Sequence, residues 1–430
     1  MSVFKRIYFN FFVFVYLLYA LFNKGIAYSY LSEVLIVVGL LMVLWDLRSY
    51  EFVWDKRMAL LTLFMLMATL YIGRGILEGY GIVDVVRDSV VFNYIIFAFI
   101  VYYFKDALPY LKQKLITIYK WYPLCMCCFF LLSSYSTFFR ELIIFGDQRI
   151  FLYKFGDMGV HLFIAGIFLL NGYITMPKRY LVLQWILIAY LFLVVSSYSR
   201  SGMISVLIPM GGFFLLTKNR ALKQQMVKLI KYAPLIVLLA MPLFLSTNLE
   251  ENFQGRSLSI QQLKENAVSI FSSSDEGTTL SDNKVWRLVW WARIVEYTFL
   301  GDYFLWGRGL GMSLAATDDI DYDPTEGNLR SPHSFHMTVL ARFGVPIFFL
   351  WLYWMYLHLR NIRRPDLDPF MLVLLSISFS FLINASFDVF LEGPMGAMPF
   401  WIFVGLVYAE ESFGNASARE VAGSVAFNKN

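Results

Sequence analysis

Three short polar stretches in an otherwise apolar sequence carry the side chains best suited to chemistry. The first, Ser196-Ser-Tyr-Ser-Arg-Ser-Gly202, joins two apolar runs with almost no loop between them and puts Arg200 at the boundary. A guanidinium there wants an anion, and phosphate is its natural bidentate partner, with the neighbouring hydroxyls as further donors. The plainer alternative is an arginine snorkelling from a helix end. The second stretch runs from Lys284 to Thr298 and reads as an amphipathic helix. Trp286, Trp290, Arg293 and Tyr297 share one face, and Arg287 lies beside Trp291 on another. Aromatics mixed with arginine suit a helix resting at the headgroup level, with Arg293 as a solvated charge and Arg287 as either that or an anion ligand. The third is Arg330-Ser-Pro-His-Ser-Phe-His-Met337, where Pro332 marks a helix start and His333 and His336 fall on one face. Histidine is the side chain best poised to take a proton near neutral pH; the alternative is a hydrogen-bonded interfacial histidine.

Other patterns do not lead to chemistry. His333 and His336 lack a third ligand and the H-E-x-x-H spacing of a zinc site. The acidic run Asp318 to Asp323 lacks an EF-hand's glycine and glutamate, since Pro324 and Arg330 stand at those positions. Gly307-Arg-Gly-Leu-Gly311 has no βαβ unit around it and reads as a tight turn returning the chain to the membrane. Cys125, Cys127 and Cys128 sit in one apolar run with no partner cluster, as small core or lipid-facing residues. His358 falls at the inner end of its span and His161 at the outer end of another. What remains is arginines, a histidine base and aromatics on one face, with no metal site. That set suits an anionic lipid-phosphate substrate and glycosyl or phosphoryl transfer at the membrane surface.

The elements that position these groups are membrane helices. Hydrophobic residues make up 59% of the 430 and charged residues 16%, which leaves too little polar surface to cover a globule. A soluble enzyme, a nucleic-acid binder and a disordered chain are excluded, and the net charge of +5 is spread over many loops. Twelve apolar runs are long enough to predict transmembrane helices: 7–22, 31–45, 58–73, 89–104, 121–139, 159–175, 180–198, 202–216, 233–247, 335–359, 369–385 and 396–409. The first, following Lys5 and Arg6, reads as an uncleaved signal anchor. With the N-terminus inside, nineteen Lys and Arg fall in the inner connections and seven in the short outer ones. The positive-inside rule then puts both ends in the cytoplasm. The fold class expected is an all-α polytopic membrane protein of about twelve spans: spans 1–9 over 1–247, an extracytoplasmic loop over 248–334, spans 10–12 over 335–409 and a polar, disordered cytoplasmic tail over 410–430. That outer loop is far longer than any other connection, and such loops on compact scaffolds are usually functional.

In order and spacing these motifs resemble the bacterial O-antigen ligase and polysaccharide polymerase superfamily. Ser199-Arg200-Ser-Gly202 is similar to its Ser-Arg-Ser/Gly segment. Arg287-Leu-Val-Trp-Trp291 with Leu305-Trp-Gly-Arg-Gly-Leu-Gly311 is similar to its Arg-x-x-x-Trp helix and glycine turn. Pro332-His333 to Met337, with Gly344 beyond, is similar to its His-Asn block opening a span. The likeness covers about 195 to 350. It implies a metal-independent, inverting glycosyltransferase of GT-C-like fold in the bacterial inner membrane, without a cofactor. The donor would be an undecaprenyl-diphosphate-linked glycan at the periplasmic face, and the acceptor another glycan or lipid A-core. A chain-length regulator and a flippase would be its companions. By position, Arg200 and Arg287 would hold the diphosphate and His333 would activate the acceptor hydroxyl. The chain departs from the pattern in Ser334 for Asn, in Arg342 for an acidic residue, and in the additional His336. Arg330, His336 and Arg342 therefore join the candidate substrate-binding residues. The expectation is a polymerase that joins lipid-linked repeat units, with a ligase moving polymer to lipid A-core as the alternative. A lipid-linked glycan transporter is a second alternative, against which the dissimilar halves of the chain speak. A metal-dependent GT-C transferase would place acidic residues in the first outer loop, and Asn23 to Tyr30 has none.

Overall fold

The computed structural model describes residues 1–27, 29–46, 54–145, 148–247, 258–271, 279–318, 320, 330–364 and 367–427. Much of the polar first part of the long connection, and Asp319, Asp321 and Asp323 of the acidic run, lie outside them. The chain is helical almost throughout. It begins with α1 (Val3–Phe22), α2 (Leu31–Asp46), α3 (Lys56–Leu77), α4 (Ile82–Asn93), α5 (Ile96–Tyr103) and α6 (Leu108–Tyr135). A short α7 (Thr137–Arg140) and a small antiparallel pair, β1 (Ile143–Phe145) and β2 (Gln148–Arg149), precede α8 (Phe155–Leu170). Then follow α9 (Lys178–Tyr198), α10 (Arg200–Leu216), α11 (Arg220–Ser246), α12 (Ile260–Phe271), α13 (Thr279–Phe299) and α14 (Leu314–Thr317). The chain closes with α15 (Phe335–Leu359), α16 (Pro369–Phe387) and α17 (Pro394–Phe427).

Seven of these helices are long and apolar enough to cross a membrane, or eight if α4 and α5, bent by 48° at their junction, form one broken span. The protein is an all-α, multi-pass membrane protein. The other four predicted runs fall on α2, α8, α10 and the apolar half of α17. Helix α17 continues to Phe427, through the tail that composition alone predicts as disordered. Beyond Pro399 no proline interrupts it, and its alanines and glutamates are good helix formers.

Helix α8 is the axis of the fold. All sixteen of its residues are buried, as expected of a helix apolar on every side, and α6, α9, α10 and α16 surround it. Helix α10 comes close because glycines face each other. A Cβ on Gly159 would run into the backbone of Gly202, and one on Gly202 into Val195 and the carbonyl of Phe155. His161 is absorbed by this core, with Nδ1 hydrogen-bonded to the Tyr119 hydroxyl at 2.8 Å.

Helix α15 is broken within the membrane, and the break is repaired by the glycine turn. Gly344 has φ 79° and ψ 178°, and Pro346 has no N–H to give to the carbonyl of Arg342. The turn supplies what is missing. Arg308 N donates to Ala341 O at 2.8 Å, Gly309 N to Arg342 O at 2.9 Å, and Val345 N turns to Phe304 O at 2.8 Å. Irregular backbone at membrane depth is tolerable only with its polar groups satisfied by protein in this way. Gly307, at φ 54°, lies so near this break that a Cβ would collide with the backbone of Arg342.

A single carboxylate locks the turn in place. Asp88, buried on α4, accepts from Gly311 N at 2.9 Å and pairs with Arg342 at 3.0 Å and Arg330 at 3.2 Å. Arg342 also donates to the carbonyls of Gly309 and Met312. Removing one partner of a buried pair leaves an uncompensated charge, a loss of roughly 3–5 kcal/mol. Asp88→Ala should therefore lower the melting temperature in detergent by several degrees. Asp84→Ala, at the exposed end of the same network, should change it little. Equal melting of Asp88→Ala and the parent would remove the clamp from the account.

Candidate active site

The long connection does not rest on lipid through its aromatic face. Trp290 and Ile294 of α13 are fully buried against Leu340, Ala341 and Val345 of α15 and Leu314 of α14. The Trp290 indole donates to Asp318 Oδ2 at 2.6 Å, and Asp318 pairs with Arg308 at 2.8 Å. Arg293 is exposed, as expected of a solvated charge, and also donates to the backbone carbonyl of Asp318. The reason is tertiary: α15's outer half offers an apolar surface that satisfies the tryptophans better than an interface would. Asp318 is thereby committed to protein partners.

This docking turns the opposite side of α13 towards the start of α15 and the end of α16. Arg287 donates through Nη1 to the carbonyl of Phe387 at 3.1 Å. Its Nε is buried with no hydrogen-bond partner among the described residues, so the guanidinium keeps a donor for an anion. Trp291 donates to the carbonyl of Pro332 at 2.7 Å, and Trp286 meets the His333 ring edge-on, centroids 5.8 Å apart. His333 itself has φ 50°, a conformation costly for a residue with a Cβ. Its neighbours hold it there: Ser334 caps α15, and Thr338 donates to Glu392 at 2.6 Å. Asn and Ser are equivalent helix caps, which accounts for Ser334 in place of Asn.

Asp388, just past α16, completes the group. Its Oδ1 is 4.0 Å from His333 Nδ1 and 3.4 Å from Lys154 Nζ, and it accepts from Val389 N at 2.7 Å. Burial opposes its ionisation, but Lys154, His333 and Arg287 together hold it below the usual carboxylate range. Burial, reinforced by the charge of Arg287, pushes the His333 imidazole down to about 4 against the pull of Asp388. The ring is neutral at physiological pH. With Nδ1 facing Asp388, a proton there leaves the Nε2 lone pair as the basic site. Arg200, at the first turn of α10, is close enough for its charge to act on Arg287, and Lys24 and Lys154 act likewise on His333.

The structure thus gathers Arg200, Arg287 and His333, and it does not bring Arg330, Arg342 or His336 to the same place. Arg330 and Arg342 are engaged with Asp88 and the glycine turn. His336 accepts from Trp351 Nε1 through Nδ1 at 3.0 Å, which leaves Nε2–H for Ser386 Oγ at 3.1 Å. Both its nitrogens are occupied. Asp388, Lys154 and Lys24 were not singled out by sequence reasoning. Their one signal was charge at the outer end of an apolar run, and the two lysines entered only as topology markers.

The motif likeness implied Arg200 and Arg287 on a diphosphate and His333 on an acceptor, and a comparison with family models bears on the likeness itself. Residues 185–352 match the Wzy_C family, O-antigen ligase. The match places this stretch in the O-antigen ligase and polymerase superfamily. It runs from α9 into α15, taking in Arg200, Arg287 and His333, while Lys154 and Asp388 lie on either side of it. No curated protein matches the sequence.

Diethyl pyrocarbonate, which attacks neutral imidazole, reads these assignments. It should label His333 and spare His336, and mass spectrometry of the peptides separates the two. An ordinary imidazole of pKa ~6.5 loses about eight-fold of its neutral form between pH ~7 and ~5.5. His333 labelling should hardly slow over that range. Preferential labelling of His336, or an eight-fold decline at His333, would contradict the geometry.

Proposed function

We propose that this protein is a polysaccharide polymerase of the bacterial inner membrane, joining undecaprenyl-diphosphate-linked repeat units at its periplasmic face. The observation that carries the reading is His333. It is a neutral imidazole in a costly backbone conformation, set between an orienting carboxylate and an arginine with a donor to spare. Strain of that kind persists where surrounding structure enforces it and is common at active sites.

In this reading the donor diphosphate lies against Arg287 and Arg200, with Lys154 and Lys24 adding positive field. His333 Nε2 takes the proton of the acceptor hydroxyl as its oxygen attacks the anomeric carbon. The bond from that carbon to the diphosphate oxygen breaks, and the electron pair leaves on undecaprenyl diphosphate. The arginines stabilise the negative charge that develops there, and configuration inverts in the single displacement. The imidazolium, facing Asp388, then gives its proton to water. Protein cations do the work of neutralising the leaving group, so EDTA should not inhibit. The topology belonging to this reading has twelve spans, both termini in the cytoplasm and the connection 248–334 in the periplasm.

The description of the matched family favours a second reading, in which the acceptor is lipid A-core and the protein is a ligase. The same side chains serve either acceptor. A glycan gel with mass analysis of cells lacking the gene separates them. Acceptors capped with a single repeat unit identify a polymerase, and polymer stranded on undecaprenyl diphosphate beside bare lipid A-core identifies a ligase. Complementation with His333→Ala or Arg287→Ala should leave the protein inserted but restore less than about 1% of polymer, the scale expected of losing a base or a transition-state cation. His336→Gln should retain most. Normal polymer from either Ala variant would remove that residue's role, and a deletion without any glycan phenotype would remove the function.

A further inference from the structure

A cavity lined by α6, α17 and the segment after α8 lies at the opposite end of the helices from His333. Two helices connect the two ends. Helix α8 begins beside Lys154 and ends at Leu170, just before the cavity's Ile174 and Thr175. Helix α16 ends beside Asp388 and begins at Pro369, next to Phe370, whose ring lies under Lys112 Nζ at 4.0 Å. The cavity holds about 660 Å³. Its rim carries Lys112, Gln113, Thr117 and Lys120 from α6, Thr175, and Glu410 from α17.

Depth and charge define what fits. The apolar helix that includes α6 has 31 residues, which at 1.5 Å each is about 46 Å, against about 30 Å for the hydrocarbon core. Its apolar stretch begins only at Trp121, so Lys112 and Lys120, the eighth and sixteenth residues of the helix, both stand on the headgroup side of that stretch. Glu410 is already paired with Lys112 at 2.6 Å. Lys120 has no ion pair among the described residues, so the rim carries one uncompensated positive charge. Around it are hydroxyl and amide donors, and Ile116 provides an apolar wall. One positive charge among donors, above an apolar wall at headgroup depth, matches a phosphodiester carrying one negative charge and attached to acyl chains.

We infer that this cavity binds the headgroup of a monoanionic phospholipid from the leaflet opposite the transfer site, with Lys120 on the phosphate and Gln113, Thr117 and Thr175 on the headgroup hydroxyls. Phosphatidylglycerol is the probe. Native mass spectrometry of the full-length protein in detergent should show one retained phosphatidylglycerol, favoured over phosphatidylcholine by about five-fold, the weight of one lysine at a charged leaflet. Lys120→Ala and Lys120→Gln should both erase the preference, and Lys120→Arg should keep it. The Gln variant keeps an uncharged polar side chain one atom shorter, so the test survives if Ala impairs folding. Lys228→Ala, an exposed lysine on α11, should have no effect. Equal retention of the two lipids, or an unchanged preference in Lys120→Gln, would overturn the site. Displacement of the lipid by soluble glycerol phosphate at similar concentration would reassign it to a free phosphate.

Discussion

A charge taken out of water inside a membrane protein has to be answered by other charges, and Asp88 is where this fold meets that requirement. Its carboxylate gathers Arg330, Arg342 and the backbone of Gly311. Because Arg342 belongs to α15 and Gly311 to the glycine turn, one residue of α4 ties together a broken span and the segment that repairs it. The outer half of α15 is fixed by this tie. It then receives α13, and α13 carries Arg287 to the place where His333 begins α15. The site is thus built on elements that this clamp helps to hold in place.

The same economy of charge shapes the site itself. Asp388 answers Lys154 and faces His333, and the surplus of arginine and lysine around them is a surplus only while no anion is bound. A diphosphate would complete the balance. That is a physical reason for a neutral histidine here: an imidazolium would add to an already positive field. Two of these groups, Lys154 and Asp388, come from outside the stretch that matches the O-antigen ligase family. In the proposed mechanism the chemistry is therefore distributed between that stretch and the rest of the bundle.

What could be read from sequence follows from how each feature is encoded. Membrane helices are written in consecutive residues, and the apolar runs fall on helices, the run 89–104 on the bent pair α4 and α5. Arg200, Arg287 and His333 stand in local motifs at apolar boundaries, where a polar group is conspicuous. Arg330, Arg342 and His336 are equally conspicuous, and nothing local distinguishes a phosphate ligand from the partner of a distant carboxylate. Asp88 lies some 220 to 250 residues from the groups it holds. Trp290 misled for a related reason, since an amphipathic face says that something covers it without saying whether that is lipid or α15. Asp388 was invisible because its significance lies in Lys154 and His333 meeting it, which only the packing of α8, α15 and α16 produces.

The account's central claim is a single displacement in which His333 takes the acceptor proton while protein cations hold the leaving diphosphate. The stereochemistry of the product tests it most directly. Purified protein in proteoliposomes would be given an undecaprenyl-diphosphate-linked oligosaccharide of known anomeric configuration, and the new linkage read by NMR. The account predicts inversion at the transferred anomeric carbon. Retention would require a covalent glycosyl-enzyme intermediate on some other side chain, and would contradict it.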